Sequence, residues 1–372
     1  MAQHVKTADR IEHTLAAVWR GGADICVESV AVPPLGPGDV LARVRLATVC
    51  GSDRHTVSGR RSQPCPSILG HETVGEIVSL GAEPPRAVDG RVLRVGQRVI
   101  WCVTLPCGAC DRCLTGVTAK CRIVRKAGHE ALDSEWGLSG GYAQHVLLPR
   151  GLAIAVVDDD LNDSLAAPAA CATATVMAVA ERAGSLAGQR VVVVGAGMLG
   201  LTAIAAAVCA GASAVTAVDP VAGRRELARR FGAYDARDSA RDAGPFDVLL
   251  DFSGAPAALE DGLGTLDVQG VAVLAGAVAP NVAVAVDAES VVRRQLSIFG
   301  IHNYEPRHLT AALSFLRRAR ERFPWSELVA DPGTLDDLGA LLTAPAGPVP
   351  RYSIAPWAVG HTDLGLPPQS RG

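Results

Sequence analysis

An α/β fold, with a doubly wound parallel sheet beside a strand-rich unit, follows from three features of the 372-residue chain. The first is Val191-Val-Val-Val-Gly195-Ala-Gly197-Met-Leu-Gly200, four β-branched residues followed by three glycines at G-x-G-x-x-G spacing. The second is the series of short apolar runs and helical patterns that continues from it. The third is the contrast with the N-terminal half, where alternating runs are broken by turns and long helical patterns are few. The composition is rich in Ala and Val and poor in aromatics, which suits buried parallel strands.

The valines predict a short buried strand, Leu201 to Cys209 a helix, and Ala214 to Val218 a second strand that ends at Asp219. Strand, glycine turn, helix, strand and acid make a Rossmann dinucleotide site. Gly195 permits the tight turn, Gly197 lets the backbone approach a pyrophosphate, and Gly200 lets helix and strand pack closely. The backbone of Gly197, Met198, Leu199 and Gly200 then opens a helix whose free N–H groups and positive dipole end suit phosphates. Asp219 is placed to take both ribose hydroxyls and would repel a 2′-phosphate, which favours NAD over NADP. The uncharged run from Val191 to Val218 is also long enough to span a bilayer, but four glycines interrupt it and an acid closes it.

Met1 to Arg20 has neither the apolar segment nor the cleavage site of a signal peptide, and residues up to about Ile25 read as a leader into the first strand. A net charge of −3 gives no sign of a nucleic-acid partner. Ten cysteines without a secretion signal are expected as reduced thiols in the cytoplasm, some of them on metal. Val40 to Leu46 alternates at period two and delivers Cys50-Gly51-Ser52-Asp53-Arg54-His55. Gly70-His71-Glu72 opens a strand to Leu80, Val95 to Trp101 is a further strand, and Gly140 to His145 leads into another. Leu165 to Glu181 reads as a helix carrying Cys171. Strands over Asp247–Asp251, Gly270–Gly276 and Leu296–Ile301 complete the parallel sheet, whose ligand belongs at the strands' carboxyl ends, Gly276 among them. An amphipathic helix from His308 to Arg322 and a proline-rich tail follow.

Cys107, Cys110, Cys113 and Cys121 have the spacing C-x2-C-x2-C-x7-C. A lobe this short cannot bury a core, so four thiolates around one structural zinc would hold it; two disulfides are the alternative. Cys50, His71 and Cys171 together form a Cys2His set, which leaves a zinc one open position for water or substrate.

The order Cys50-Gly51-Ser52-Asp53-x-His55, Gly70-His71-Glu72, four-cysteine lobe and glycine fingerprint resembles the zinc-dependent medium-chain alcohol dehydrogenases. The resemblance runs from about Ala16 to Ala355. It implies a GroES-like catalytic domain of residues 1–170 and 303–372, with the zinc lobe at about 102–125, and a Rossmann NAD-binding domain of residues 171–302. It also implies two Zn2+ per chain, a homodimer or homotetramer, and hydride transfer between a small-molecule alcohol and NAD to give a carbonyl compound. By the same resemblance Ser52 relays the alcohol proton, His55 passes it on through the ribose, and Asp53 orients the histidine ligand. Glu72 sits beside the metal, although a salt bridge with a buried arginine would serve it equally. Arg224 matches a contact to the adenosine ribose and Arg351 one to the pyrophosphate; surface roles are the alternative for both.

The stretch from Val291 to Leu309, and Ala170-Cys171-Ala-Thr-Ala-Thr-Val-Met, resemble a subgroup associated with phosphonate metabolism. Arg54, His55, His302 and Arg307 would then place positive charge near the cleft mouth for a hydroxyalkylphosphonate; an ordinary surface hinge explains the same residues. Two other functions compete. A zinc-free enone or quinone reductase needs no Cys2His set, and a non-catalytic nucleotide-binding protein needs no Ser52. An edge-to-edge contact between sheets would suit an apolar strand near Val282 to Val286.

Overall fold

The computed structural model describes residues 11–278, 283–345, 347 and 349–359. Six parallel strands form one sheet in the order Asp235–Arg237, Ala214–Val218, Arg190–Val194, Phe246–Asp251, Leu266–Leu274, Ser297–Gly300. The chain moves outward from Arg190–Val194 to one edge and then returns to build the other side. The crevice between Arg190–Val194 and Phe246–Asp251 is therefore the topological switch point, where such sheets take ligands. Val191 to Val194 are at most 1% exposed, because helices cover both faces of the sheet. Strand and helix content thus account for the uncharged run from Val191 to Val218.

A seven-stranded sheet forms the other unit. Val40–Thr48 is its centre, pairing antiparallel with Glu72–Leu80, with His145–Leu148 and with Arg351–Ile354. The chain's C-terminal strand is thereby sewn beside residues that lead into Cys50, since Ser353 pairs with Thr48. Among the short strands not legible in the sequence are Asp235–Arg237, Val329–Gly333 and Arg351–Ile354. Charge or proline interrupts each, and tertiary pairing rather than pattern makes them strands. The first strand is His13–Gly21, so the expected leader up to Ile25 is already sheet. The run from Val95 shortens to Arg98–Trp101 because Gly96 turns the backbone at φ +87°.

The helix expected over Leu165 to Glu181 is Asp163–Pro168, a π-turn Ala169–Thr173, then Ala174–Ala183. Pro168 has no N–H to give the preceding turn, and the widened turn after it carries Cys171. Among the described residues only this 21-residue segment is long and apolar enough to cross a membrane, and 67% of its most apolar window is buried in the protein. Residues 283–287 form no strand, and Val282 lies outside the described residues. The parallel sheet instead ends at Ser297–Gly300. The expected amphipathic helix runs Pro306–Ala319 and packs Leu309, Ala312 and Leu316 inward.

Candidate metal centre and cofactor cleft

Three distant segments bring one imidazole and two thiols together. The ligand atoms of Cys50, His71 and Cys171 all lie within 4.8 Å of one another. Cys50 caps the helix Gly51–Val57, His71 follows Gly70 at φ +95°, and Cys171 rides the π-turn. At Gly70 a side chain would press on the Tyr142 ring at 3.0 Å.

The histidine is fixed from behind. His71 Nδ1 is 3.3 Å from Asp53 Oδ1, and Tyr142 Oη donates to Asp53 Oδ2 at 2.9 Å. The Cys50 N–H also donates to Asp53 Oδ2, at 3.0 Å. Nε2 therefore faces the thiols, with Ser52 Oγ 3.2 Å away. This is the arrangement in which a carboxylate sets the tautomer of a ligating histidine. The Cys50 thiol is held well below its ordinary value, first by hydrogen bonding with Cys171 and then, against the cost of burial, by Arg351 and His71. A soft, buried thiol pair with an oriented imidazole fits a zinc ion.

Glu72 is the partner of a buried arginine, as the sequence allowed, and that arginine is Arg351. Arg351 Nε donates to Glu72 Oε2 at 2.9 Å and Nη2 to Oε1 at 3.2 Å, while Thr48 Oγ1 donates to Oε2 at 2.7 Å. Burial pushes the Glu72 carboxyl up to about 7 against the pull of Arg351. Arg351 Nη2 also lies 3.7 Å from Cys50 Sγ. The arginine expected at the pyrophosphate is thus tied to the metal-site side of the cleft, which it lines.

A single cleft of about 280 Å³ joins this cluster to the glycine turn. Cys50, Ser52, His55, His71 and Cys171 line it with Gly197–Gly200 and Gly276. Gly195, at φ +93°, leaves room for Ser253 N, which a Cβ would approach to 2.9 Å. A Cβ on Gly200 would overlap Gly195 O, and a Cβ on Gly276 would press Gly254 N at 2.4 Å. Nothing lies within 4 Å of a Cβ at Gly197, so the open side of the turn faces the cleft. The helix Met198–Cys209 begins there, its first N–H groups free of intrahelical partners.

Asp219 lies at the neighbouring strand end, outside that lining. Its Oδ2 accepts from Ala196 N at 2.9 Å, which ties it to the glycine turn, and Arg224 Nη1 is 3.8 Å from the same oxygen. His55 is half-buried, and burial together with Arg60 lowers its imidazole below the ordinary value.

The four-cysteine lobe is compact and shallow. Sγ atoms of Cys107 and Cys113, Cys110 and Cys113, and Cys110 and Cys121 are 4.0, 3.5 and 3.9 Å apart. A zinc tetrahedron with sulfur at about 2.3 Å has edges of about 3.8 Å. All ten cysteines are free, so the two-disulfide alternative does not hold.

Comparison with known proteins settles the lineage. Residues 36–158 match the alcohol dehydrogenase GroES-like domain, and residues 199–318 match the zinc-binding dehydrogenase domain. An L-threonine 3-dehydrogenase from Chelativorans sp. (strain BNC1) is 32% identical over 75% of this chain and 80% of its own length. The chain belongs to the zinc-dependent medium-chain alcohol dehydrogenase family. A 5-exo-hydroxycamphor dehydrogenase from Pseudomonas putida is 27% identical over 91% of this chain and 95% of its own. An alcohol dehydrogenase from Thermotoga maritima has the same fold, with a TM-score of 0.85 at 24% identity, covering 92% of this chain and 99% of that one.

In this dehydrogenase the residues expected at the substrate end are only partly where the sequence put them. Arg307 is drawn away by Glu181, 2.5 Å from its Nη2, and lines a separate cavity. Arg54 is half-buried outside the cleft lining, where burial and the charges of Arg224 and Arg351 lower its pKa against the pull of Tyr352. His302 does reach the cleft, with Nδ1 2.7 Å from Lys120 Nζ. The dehydrogenase cleft also contains Arg61, Lys126, His129, Thr175 and Tyr304, none of which any spacing signalled. Tyr304 donates its hydroxyl to Ala170 O, bracing the π-turn beside Cys171.

Proposed function

We propose that this dehydrogenase transfers a hydride between an alcohol and NAD at a zinc ion held by Cys50, His71 and Cys171, giving an aldehyde or ketone. The observation that carries the reading is the meeting of the Cys2His cluster and the Gly197 turn on one cleft wall. Zinc bound there would supply Lewis acidity that lowers the pKa of the alcohol hydroxyl. Ser52 Oγ, next to His71 Nε2, takes the departing proton. His55, kept neutral at the cleft side by burial, passes it to solvent. Asp53 and Tyr142 hold the imidazole in orientation, and the Glu72–Arg351 pair fixes the polar wall behind Cys50. A second zinc in the Cys107, Cys110, Cys113 and Cys121 lobe is structural, since four sulfurs leave no open position.

NAD is favoured over NADP because Asp219 ends the second strand with its carboxylate buried beside the glycine turn, where a 2′-phosphate would be repelled. Arg224 borders the same acid. We place the protein in the cytoplasm, on ten free thiols, and expect a homodimer or homotetramer in which the sheet edge Ser297–Gly300 is available for pairing. A hydroxyalkylphosphonate stands among the candidate alcohols, with His302 the member of the expected cationic set that lies in the cleft beside His55. A zinc-free enone or quinone reductase would have no use for the converging Cys50, His71 and Cys171.

The test is NADH formation over a panel of alcohols, with and without a chelator. Oxidation that stops on chelation and returns with zinc supports the reading. Enone reduction indifferent to the chelator would replace it.

A further inference from the structure

The cleft that joins metal site and glycine turn has an uneven charge. Its lining among the described residues includes Arg61, Lys126 and Arg351 and no aspartate or glutamate. Arg351 is neutralised by Glu72. Arg61 and Lys126 are not: among the described residues neither side chain forms an ion pair, although the Lys126 N–H donates to Glu130 Oε1 at 2.8 Å and the adjacent Arg125 pairs with Glu130 and Glu135. Both are half-buried. Two half-buried cations without an acid partner, side by side on the lining of a partly closed cleft that holds no carboxylate, are suited to an anion from outside.

We infer that Arg61 and Lys126 form a subsite for an anionic group on the alcohol substrate, a carboxylate or a phosphonate-type oxyanion. The inference rests on the alcohol-oxidising reading of the same cleft. Arg61 follows the helix Gly51–Val57 that supplies Ser52 and His55, and Lys126 ends the short strand Arg125–Lys126, three residues before His129. Both therefore lie on segments next to the reacting end. Burial first, then the charges of Arg61 and Lys120, hold the Lys126 ammonium below its usual value. The cations thus repel one another, and an anion between them would relieve that repulsion. A guanidinium offers a fork to two oxygens and an ammonium a point charge, a combination suited to either oxyanion. The pyrophosphate of the dinucleotide has its own donors at Met198 to Gly200 and does not require these side chains.

Binding, rather than turnover, tests this most cleanly. Isothermal titration calorimetry on the zinc-replete, NAD-loaded protein would compare three unreactive ligands of equal chain length: an alkylphosphonate, an alkylcarboxylate and the uncharged amide. At least one anion is expected to bind about tenfold or more tightly than the amide. Arg61→Met and Lys126→Met should each weaken that anion by about 10- to 100-fold, the worth of one charge-assisted hydrogen bond. Arg61→Lys should retain more affinity than Arg61→Met, which separates lost charge from lost folding. The better anion of the two distinguishes carboxylate from phosphonate recognition. Anions no tighter than the amide, or variants that weaken anion, amide and NAD alike, overturn the subsite. Anion binding lost in both variants, in a protein that oxidises no alcohol, would leave the subsite standing and remove the alcohol reading. Oxidation of neutral alcohols with no anion bound would do the reverse.

Discussion

The two cysteine clusters of this chain are built in opposite ways. Cys107, Cys110, Cys113 and Cys121 come from fifteen consecutive residues, on a four-residue helix and a short 3₁₀ turn, and two of them are only partly shielded. Cys50, His71 and Cys171 come from the end of a strand, the start of another and a π-turn in a different segment, and the imidazole is 4% exposed. The lobe has four sulfurs, and the donors to them among the described residues include backbone N–H groups, Cys107 N to Cys121 Sγ at 3.3 Å and Cys110 N to Cys107 Sγ at 3.4 Å. The other cluster has three ligands and a buried polar shell of Asp53, Tyr142, Glu72, Arg351 and Thr48. A closed local site can hold a fold that lacks a core. An open site must be held by the fold itself, and most of its supporting residues exist for that purpose.

Substitutions should separate the two. The largest effect is expected at the open site: Cys171→Ser should lower kcat/KM by roughly 10³-fold or more, with thermal stability nearly kept, because the chemistry goes and the surrounding core stays. In the lobe the pattern should invert. Cys113→Ser should lower the melting temperature by about 5 °C or more, because structural zinc binding is folding energy there. Activity per folded molecule should fall less than in Cys171→Ser. The lobe is tied to the segment that follows the cleft residue Tyr304 through Glu305, which accepts from Thr118 N at 3.1 Å and Ala119 N at 3.0 Å. If the two variants instead behave alike, the division of labour is wrong. Next in size is Asp53→Asn, expected to weaken zinc affinity or activity by about 10- to 100-fold at the open site alone, read by competition with a chelator.

The smallest effect concerns the outer end of the segment that carries Cys171. Arg307, then His308, hold the Glu181 carboxyl down to about 2. Its unfolded value is about 4.3, so the folded pKa is the lower one. The contribution is present above that unfolded value and is lost as pH falls through about 2. Glu181→Gln should therefore cost less than about 1 kcal/mol at neutral pH, since the ion pair is exposed, and progressively less as pH falls toward about 2. Melting curves of both proteins across that range check the sign.

Legibility in the sequence follows the same division. The lobe and the glycine turn are local, and their spacing alone names the residues. The members of the open site carry no spacing signal toward one another, and Cys50, His71 and Cys171 are grouped on residue type, as a Cys2His set, with the order of motifs resembling a known family beside it. Tyr142 and Arg351 show what pattern misses. Tyr142 reaches Asp53 across 89 residues, and Arg351 reaches Glu72 across 279, on a strand created by pairing with Val329–Gly333 on one side and Val40–Thr48 on the other. The expected cations Arg54 and Arg307 were chosen for charge near the motifs, and sequence could not foresee that Glu181 would capture one of them. Arg61 and Lys126 reach the cleft from a bend after one helix and from a two-residue strand, which no periodicity encodes.

The most direct test of the account is the number of zinc ions per chain, measured by elemental analysis on the purified wild type and on Cys171→Ser. The account predicts two in the wild type and one in the variant, the survivor resisting chelation in the lobe. A wild type with one zinc, or a Cys171→Ser protein that keeps both, would contradict it.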